Sequence, residues 1–152
     1  MTEPVSREYP KHPLTGVGVV CWRGDHVLLI RRGKPPRIGE WSLPGGMQHV
    51  GETVFEAAVR ECLEETAIAI RPLRYLDVID SIRRDAAGRV RFHYTLIDVA
   101  GEYLSGEPQA GDDAMHAEWV HRDLVPTLGM WTETVRLIGL GDPSARSDRR
   151  MG

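Results

Sequence analysis

Three glutamates, Glu61, Glu64 and Glu65, stand at offsets i, i+3 and i+4 in the stretch VFEAAVRECLEETAI. On a helix those positions neighbour one another, so three carboxylates share one patch of surface. Like charges at that spacing repel, and the stretch holds no lysine; its one cation is Arg60. Arg60 can pair with Glu56 or Glu64 at four-residue spacing, which leaves Glu61 and Glu65 uncompensated. A hard divalent cation meets that need. Carboxylate oxygens suit magnesium or manganese, and magnesium commonly combines a few carboxylates with substrate phosphates. The alternative is a solvated acidic face, the usual fate of a charge run. The paired glycines Gly45 and Gly46, and Glu52 behind them, favour the cation.

These carboxylates need a rigid carrier, and the surrounding residues predict one. Thr53 and Glu56 form a T-x-x-E capping box, in which hydroxyl and carboxylate satisfy amide donors that the first helical turn leaves open. Phe55, Ala58, Val59 and Cys62 recur at helical spacing and make one apolar stripe for a core. The stretch therefore reads as a glycine loop feeding an amphipathic helix that ends near Ile68.

Around it the chain alternates strand and turn signals. Residues 15–22 (TGVGVVCW) and 26–32 (HVLLIRR) read as a β-hairpin across the turn Arg23-Gly24-Asp25. Arg31, Arg32 and Lys34 emerge at its end, as surface charges or as contacts to substrate phosphates. A proline-containing loop, 33–40, precedes a short strand at 41–44. Residues 68–80 are strand-like, 81–88 read as a turn, and 89–99 as a strong strand. Phe92, Tyr94 and Trp119 are candidates to stack on a base, with core packing the alternative for each. A polar loop, 101–116, carries Glu102, Glu107, Asp112 and Asp113. A short strand at 117–120 and a final amphipathic helix at 130–140 complete the pattern. Strands on either side of a central helix, with a second helix at the end, predict a mixed α/β sandwich.

Size and composition set limits. A chain of 152 residues with 41% hydrophobic and 27% charged residues suits one globular domain with a core. We divide it into an N-terminal arm at 1–13, a domain at 14–141 and a tail at 142–152, with both ends loose. The net charge of −3 gives no general attraction to nucleic acid, so a phosphate substrate is drawn in locally. Cys21 and Cys62 lie in apolar contexts and read as buried free thiols, which fits a reducing cytoplasm. The N-terminus lacks the apolar core of a signal peptide, and no apolar run is long enough to span a membrane. The six histidines, His49 included, lack metal-ligand spacing and read as structural.

The stretch from Gly46 to Ile68 resembles the Nudix box, G-x5-E-x7-R-E-U-x-E-E-x-G-U with U a bulky aliphatic residue. Gly46, Glu52, Arg60, Glu61, Glu64, Glu65 and Ile68 match in register. Cys62 stands in place of an aliphatic residue, a mild departure for a small buried hydrophobe. Ala67 stands in place of glycine and is strained if that position is a left-handed helix terminus. The lead-in PRIGEWSLPGG is similar to the family's as well.

The resemblance implies an α/β/α sandwich with a mixed sheet between helices. It also implies hydrolysis of a nucleoside diphosphate linked to another moiety. A water attacks phosphorus, divalent cations neutralise the developing charge, and a carboxylate takes the proton. By resemblance Glu61 and Glu65 are the main metal ligands, Glu64 a further ligand or the base, and the Gly46 carbonyl another donor. Glu52 then supports the ligands from behind, and Arg60 orients the glutamates. Asp113, with Asp112 and Glu107 behind it, is the candidate ligand or base outside the box. Arg31, Arg32 and Tyr94 are the candidate substrate contacts. FHYTLIDVAGEY followed by GEPQAGDDAMHAEWV resembles the bacterial members grouped as ADP-ribose pyrophosphatases, which implies AMP and ribose 5-phosphate as products. A MutT-like enzyme that cleaves oxidised nucleoside triphosphates is the alternative within the family. A non-catalytic nucleotide sensor is the alternative outside it, disfavoured by the intact carboxylates. Self-association as a homodimer is left open.

Overall fold

The computed structural model describes residues 6–111 and 113–145. It contains seven strands and two α-helices: β1 (Leu14–Arg23), β2 (His26–Arg32), β3 (Trp41–Ser42), β4 (Gly45–Met47), α1 (Val54–Thr66), β5 (Ala69–Arg84), β6 (Val90–Ser105), β7 (Ala114–His121) and α2 (Thr132–Leu140). A 3-10 turn, Arg122–Thr127, links β7 to α2. No helix among the described residues is long and apolar enough to cross a membrane.

The sheet is mixed, with β3, β2, β1, β6 and β5 in spatial order. β1 runs parallel to β6 over its length, from Leu14 beside Tyr94 to Trp22 beside Glu102. Its other edge is shared. β4 pairs antiparallel with Gly16, Val17 and Gly18, and β2 pairs only at Trp22 and Arg23. The expected β1–β2 hairpin is thus nearly all turn, because β2 leaves β1 and pairs with β7 along its full length.

Side-chain alternation along β1 sorts the core into two layers. Val17, Val19 and Cys21 pack with Ala57, Ala58 and Cys62 of α1 on one face. Val20, with Val27 and Leu29 of β2, packs with Leu137 and Ile138 of α2 on the other. The sheet therefore lies between helices, as the α/β/α expectation had it. Each fully buried Val, Leu or Ile contributes about 1.5–3 kcal/mol relative to exposure. Both cysteines are buried free thiols, and burial pushes each up to about 12, so neither is a reactive thiolate near neutral pH.

Several boundaries differ from the sequence reading. Gly45–Met47 is strand β4 and not loop, because backbones without side chains can lie flat against β1. A Cβ at Gly45 would collide with the Val17 carbonyl. β5 runs on to Arg84 and β6 to Ser105, so the expected turn at 81–88 shrinks and the expected loop at 101–116 starts later. Long antiparallel pairing between the two strands outweighs the polar composition of their ends. The segment before β1 lies along this hairpin. The Tyr9 hydroxyl donates to Asp85 at 2.9 Å and Arg91 pairs with Glu8 at 3.0 Å.

The helix ends obey local chemistry. Thr53 caps α1, its hydroxyl accepting from Glu56 N at 3.1 Å while the Glu56 carboxylate accepts from Thr53 N at 2.9 Å. Ala67 terminates α1 in the left-handed region at φ 63°. Only glycine takes that conformation without a Cβ penalty. Ala67→Gly is therefore expected to stabilise the fold by about 1 kcal/mol. Denaturant unfolding of the two proteins would show it as a higher midpoint at unchanged slope.

Candidate active site

The carboxylates of α1 divide by helix geometry. Glu61 and Glu65, one turn apart, face inward and are 6% and 4% exposed. Glu64 faces outward, its side chain 43% exposed. The Glu65 carboxylate accepts from Gly45 N in β4 at 3.0 Å. Glu61 lies directly over Gly46, where a Cβ would strike its carboxylate. Gly46 is required because its backbone approaches Glu61 closely, and Gly45 because it lies against the β1 backbone at Val17.

Arg60 does more than its helical neighbours suggest. Its guanidinium grips Glu52 with two hydrogen bonds, at 2.6 and 2.9 Å, a bidentate pairing that suits the planar fork. It also reaches Glu61 at 2.7 Å, Glu64 at 3.1 Å and the Met47 carbonyl at 2.9 Å. Two expectations are corrected here. Glu61 is compensated by Arg60, since a long side chain can turn sideways to its neighbour. Glu56 is not Arg60's partner, because the capping box occupies it. Arg60 holds the Glu52 carboxyl down to about 2, with a further contribution from the His49 amide. Glu52 in turn raises the guanidinium above its ordinary value.

The loop at 106–111 lies on the open end of the helix. The Glu65 and Thr66 carbonyls accept from the Gly111 and Gln109 amides at 3.1 and 2.9 Å. These are among the carbonyls a helix C-terminus leaves without partners. Gly106 and Gly111 press against the Ala67 and Glu64 carbonyls, leaving no room for a Cβ at either. Asp113 follows directly. It pairs with Lys34 at 2.7 Å and with Arg7 at 3.6 Å. Asp112 lies outside the described residues. Glu107 is 83% exposed and pairs with Arg23 at 3.9 Å, away from these groups.

A cleft opens on the α2 face of the sheet. Glu65, Gly46 and Asp113 line it, with the cations Arg7, Arg32, Lys34 and Arg37. Gly16 and Gly18 of β1 form part of its floor beside Tyr94, Leu96 and Asp98 of β6. Trp41 and Trp131 are in its wall, Arg37 lying 4.3 Å over the Trp131 ring.

Strand alternation separates the two arginines that the sequence offered as substrate contacts. Arg32 lines the cleft and donates to the Pro36 carbonyl at 2.8 Å. Burial lowers its pKa, while Glu65 and Tyr94 raise it. Arg31 points the other way, donating to the Gly39 carbonyl at 3.1 Å and standing 5.7 Å from the Trp41 ring, and is not in the cleft lining. Of the three aromatics considered, Tyr94 lines the cleft, Phe92 is buried, and Trp119 packs edge-on against Tyr103. Trp41 and Trp131 escaped the sequence reading. Trp41 belongs to the box lead-in and Trp131 opens the last helix, and only the fold brings them together.

Among the described residues no three carboxylates, histidines or cysteines converge as a ready-made metal cage. Glu61 and Glu64 are turned to Arg60 and Glu65 to Gly45. The donor set nonetheless fits a hard cation: carboxylates at neighbouring positions of one helix, two of them nearly buried. Burial, with Glu61 and Asp113 nearby, pushes the Glu65 carboxyl up to about 8 against the Gly45 hydrogen bond. A buried carboxylate with carboxylate neighbours is costly until a cation joins it.

A family model for the NUDIX domain matches residues 12–137. The chain is 38% identical over 124 residues to the ADP-ribose pyrophosphatase of Methanocaldococcus jannaschii, covering 82% of this chain and 71% of that protein. It is 33% identical to the oxidized purine nucleoside triphosphate hydrolase of Danio rerio, over 77% and 72% of the two chains. The MutT NUDIX hydrolase of Burkholderia pseudomallei superposes with a TM-score of 0.73 at 29% identity, over 87% of this chain and all of that one. Other relatives are longer, and the chain spans between 25% and 55% of their length. The chain belongs to the Nudix family, and it is a pyrophosphohydrolase.

The charge balance yields a pH prediction. The folded Glu65 carboxyl titrates near 8 against an ordinary 4.5, and Asp98, raised by burial and Asp77, near 7 against 3.8. The folded state thus holds protons that the unfolded chain releases, so these groups contribute stability present below about pH 4 and lost as pH rises through 7 to 8. In chelator the melting temperature is expected to fall between about pH 5 and pH 8, by roughly 2–8 °C per kcal/mol lost. Glu65→Gln should flatten that slope, as thermal scans across pH would show.

Proposed function

We propose that this enzyme hydrolyses ADP-ribose to AMP and ribose 5-phosphate with magnesium or manganese as cofactor. The observation that carries the reading is the composition of the cleft. Acidic groups, Glu65 and Asp113, stand with four cations and two tryptophans in one lining. A diphosphate between a base and a sugar needs all three kinds of contact. The likeness to the M. jannaschii ADP-ribose pyrophosphatase favours this substrate. Likeness to the D. rerio hydrolase favours the second reading, cleavage of an oxidised nucleoside triphosphate with release of pyrophosphate. A cytoplasmic location suits either substrate.

Glu61, Glu64, Glu65 and the Gly46 carbonyl would hold the cation. When bound, it would neutralise charge on the phosphate oxygens and lower the pKa of water nearby. This chain's residues do the remaining work. Arg60 fixes Glu61 and Glu64 in rotation, and Glu52 keeps Arg60 from swinging away. Arg32 and Lys34 offer positive charge to the diphosphate, and Tyr94 packs beside them. Asp113 accepts the proton of the attacking water, with Glu64 the alternative. Lys34 orients the Asp113 carboxylate from the cleft side.

Three outcomes are expected. Activity disappears in chelator and returns with magnesium, while magnesium raises the melting temperature, since cation binds the assembled site better than the open chain. Full turnover after exhaustive chelation would end the metal assignment. Asp113→Asn lowers kcat about 100-fold with little change in thermal stability, the scale of lost general-base assistance. Retention of wild-type kcat would pass the role to Glu64. Product analysis decides the substrate: AMP with ribose 5-phosphate supports the first reading, and pyrophosphate from oxidised dGTP with ADP-ribose untouched supports the second.

A further inference from the structure

The cleft contains a carboxyl group that nothing in the reaction uses. Asp98 lies on β6, two residues beyond Leu96 and four beyond Tyr94, so all three project from the same face into the cleft. It is 4% exposed, and its Oδ2 is fully buried with no hydrogen-bond partner. The neighbouring strand makes way for it, since a Cβ at Gly18 would collide with Oδ1. A buried polar atom left without a partner destabilises the fold. A fold bears that cost where a ligand supplies the missing partner.

Among the described residues Asp98 forms no ion pair, and the one cation that acts on it through space, Arg136, is committed elsewhere. Asp77 stands opposite it on β5, and Arg136 of α2 pairs with that Asp77 at 2.7 Å and with Glu133 at 2.7 Å. The two arginine contacts lie at the exposed surface and not in the cleft. The same lining carries the apolar or neutral side chains Leu43, Leu96, Trp131, Thr134 and Leu137, with Arg37 over the Trp131 ring. Glu65 accepts from Gly45 N of β4, and Asp113, just before β7, pairs with Lys34 and Arg7, so these groups make a charged part of the lining. A ligand whose diphosphate meets those groups has its flat apolar portion left for the tryptophan and leucine walls.

We propose that Asp98 is a specificity-determining residue, which reads the edge of an adenine-type base by accepting from its exocyclic amino group and donating to the ring nitrogen beside it. The inference rests on the reading of the cleft as a nucleoside diphosphate site. Burial favours the neutral carboxyl, pushing it up to about 7, and a neutral carboxyl presents one acceptor and one donor side by side. That pair complements an amidine edge. An ionised carboxylate would complement two adjacent N–H donors instead, as guanine offers. Selection of this kind is steep, because an analogue without the amino group leaves a buried oxygen unpaired.

The test separates base reading from turnover. Binding of AMP, of GMP and of purine riboside 5′-monophosphate, which lacks only the amino group, is measured by calorimetry in chelator. Wild type, Asp98→Asn and Asp98→Ala are compared. Wild type is expected to hold AMP at least about 10-fold more tightly than either other ligand. Asp98→Asn, which keeps the shape and the acceptor–donor pair, should retain the preference for AMP over the amino-free analogue. Asp98→Ala should bind those two alike while melting no lower than Asp98→Asn. Equal binding of AMP and the amino-free analogue by wild type, tighter binding of GMP, or a preference that survives in Asp98→Ala would overturn the proposal. Turnover of ADP-ribose with magnesium is assayed on the same wild-type protein. Turnover without base preference removes the role of Asp98 and leaves the reaction standing; base preference without turnover does the reverse.

Discussion

Arg60 bonds Glu52, Glu61, Glu64 and the Met47 carbonyl at once. That one guanidinium joins β4, the loop before α1 and the helix itself. Without it Glu61 and Glu64 would repel, and the loop would have no anchor on the helix face. Arginine suits the task because its planar fork presents five donors in fixed directions. Lysine would offer one point charge and could not hold a bidentate carboxylate while reaching two others. The motif is therefore one electrostatic unit, whose acidic members are kept close by a single shared cation.

Close approach of backbone to side chain is the second constraint. Gly46 admits Glu61, Gly45 admits the β1 backbone, Gly18 admits Asp98, and Gly106 and Gly111 let a loop lie on the end of α1. Each glycine gives up side-chain packing where another group must fill that space. The result is a sheet with a solid core facing α1 and a partly hollow face toward α2. Four residues of β1 and β4 without side chains make the floor from which the cleft opens.

The cleft is also where the molecule departs from its most stable arrangement. Glu65 is buried near other carboxylates, Arg32 is half-buried with its charge, and Asp98 Oδ2 has no hydrogen-bond partner. Core layers on both faces offset these costs, since their residues are apolar and buried. Such conflict between local stability and arrangement is expected at functional sites, where a ligand completes what the fold leaves open.

Helix α1, its capping box, the left-handed turn at Ala67 and the clustering of carboxylates were all legible in the sequence. They depend on residues within about one or two helical turns of each other, and helix geometry fixes those relations wherever the helix is placed. The two-layered core was legible too, through the apolar stripe and the strand runs. β4 was not, because two glycines read as a loop until another strand lies beside them. Nor was the choice between Arg31 and Arg32, which turns on the face β2 presents once it pairs with β7. Asp98 was one polar residue inside a strong strand, Trp41 one residue of a short strand and Trp131 one of the last helix, with nothing to join them. Their shared cleft exists only because β6 runs parallel to β1 and α2 returns across the same face. Contacts between residues this far apart in the chain carry no local spacing, so only the tertiary structure could decide them.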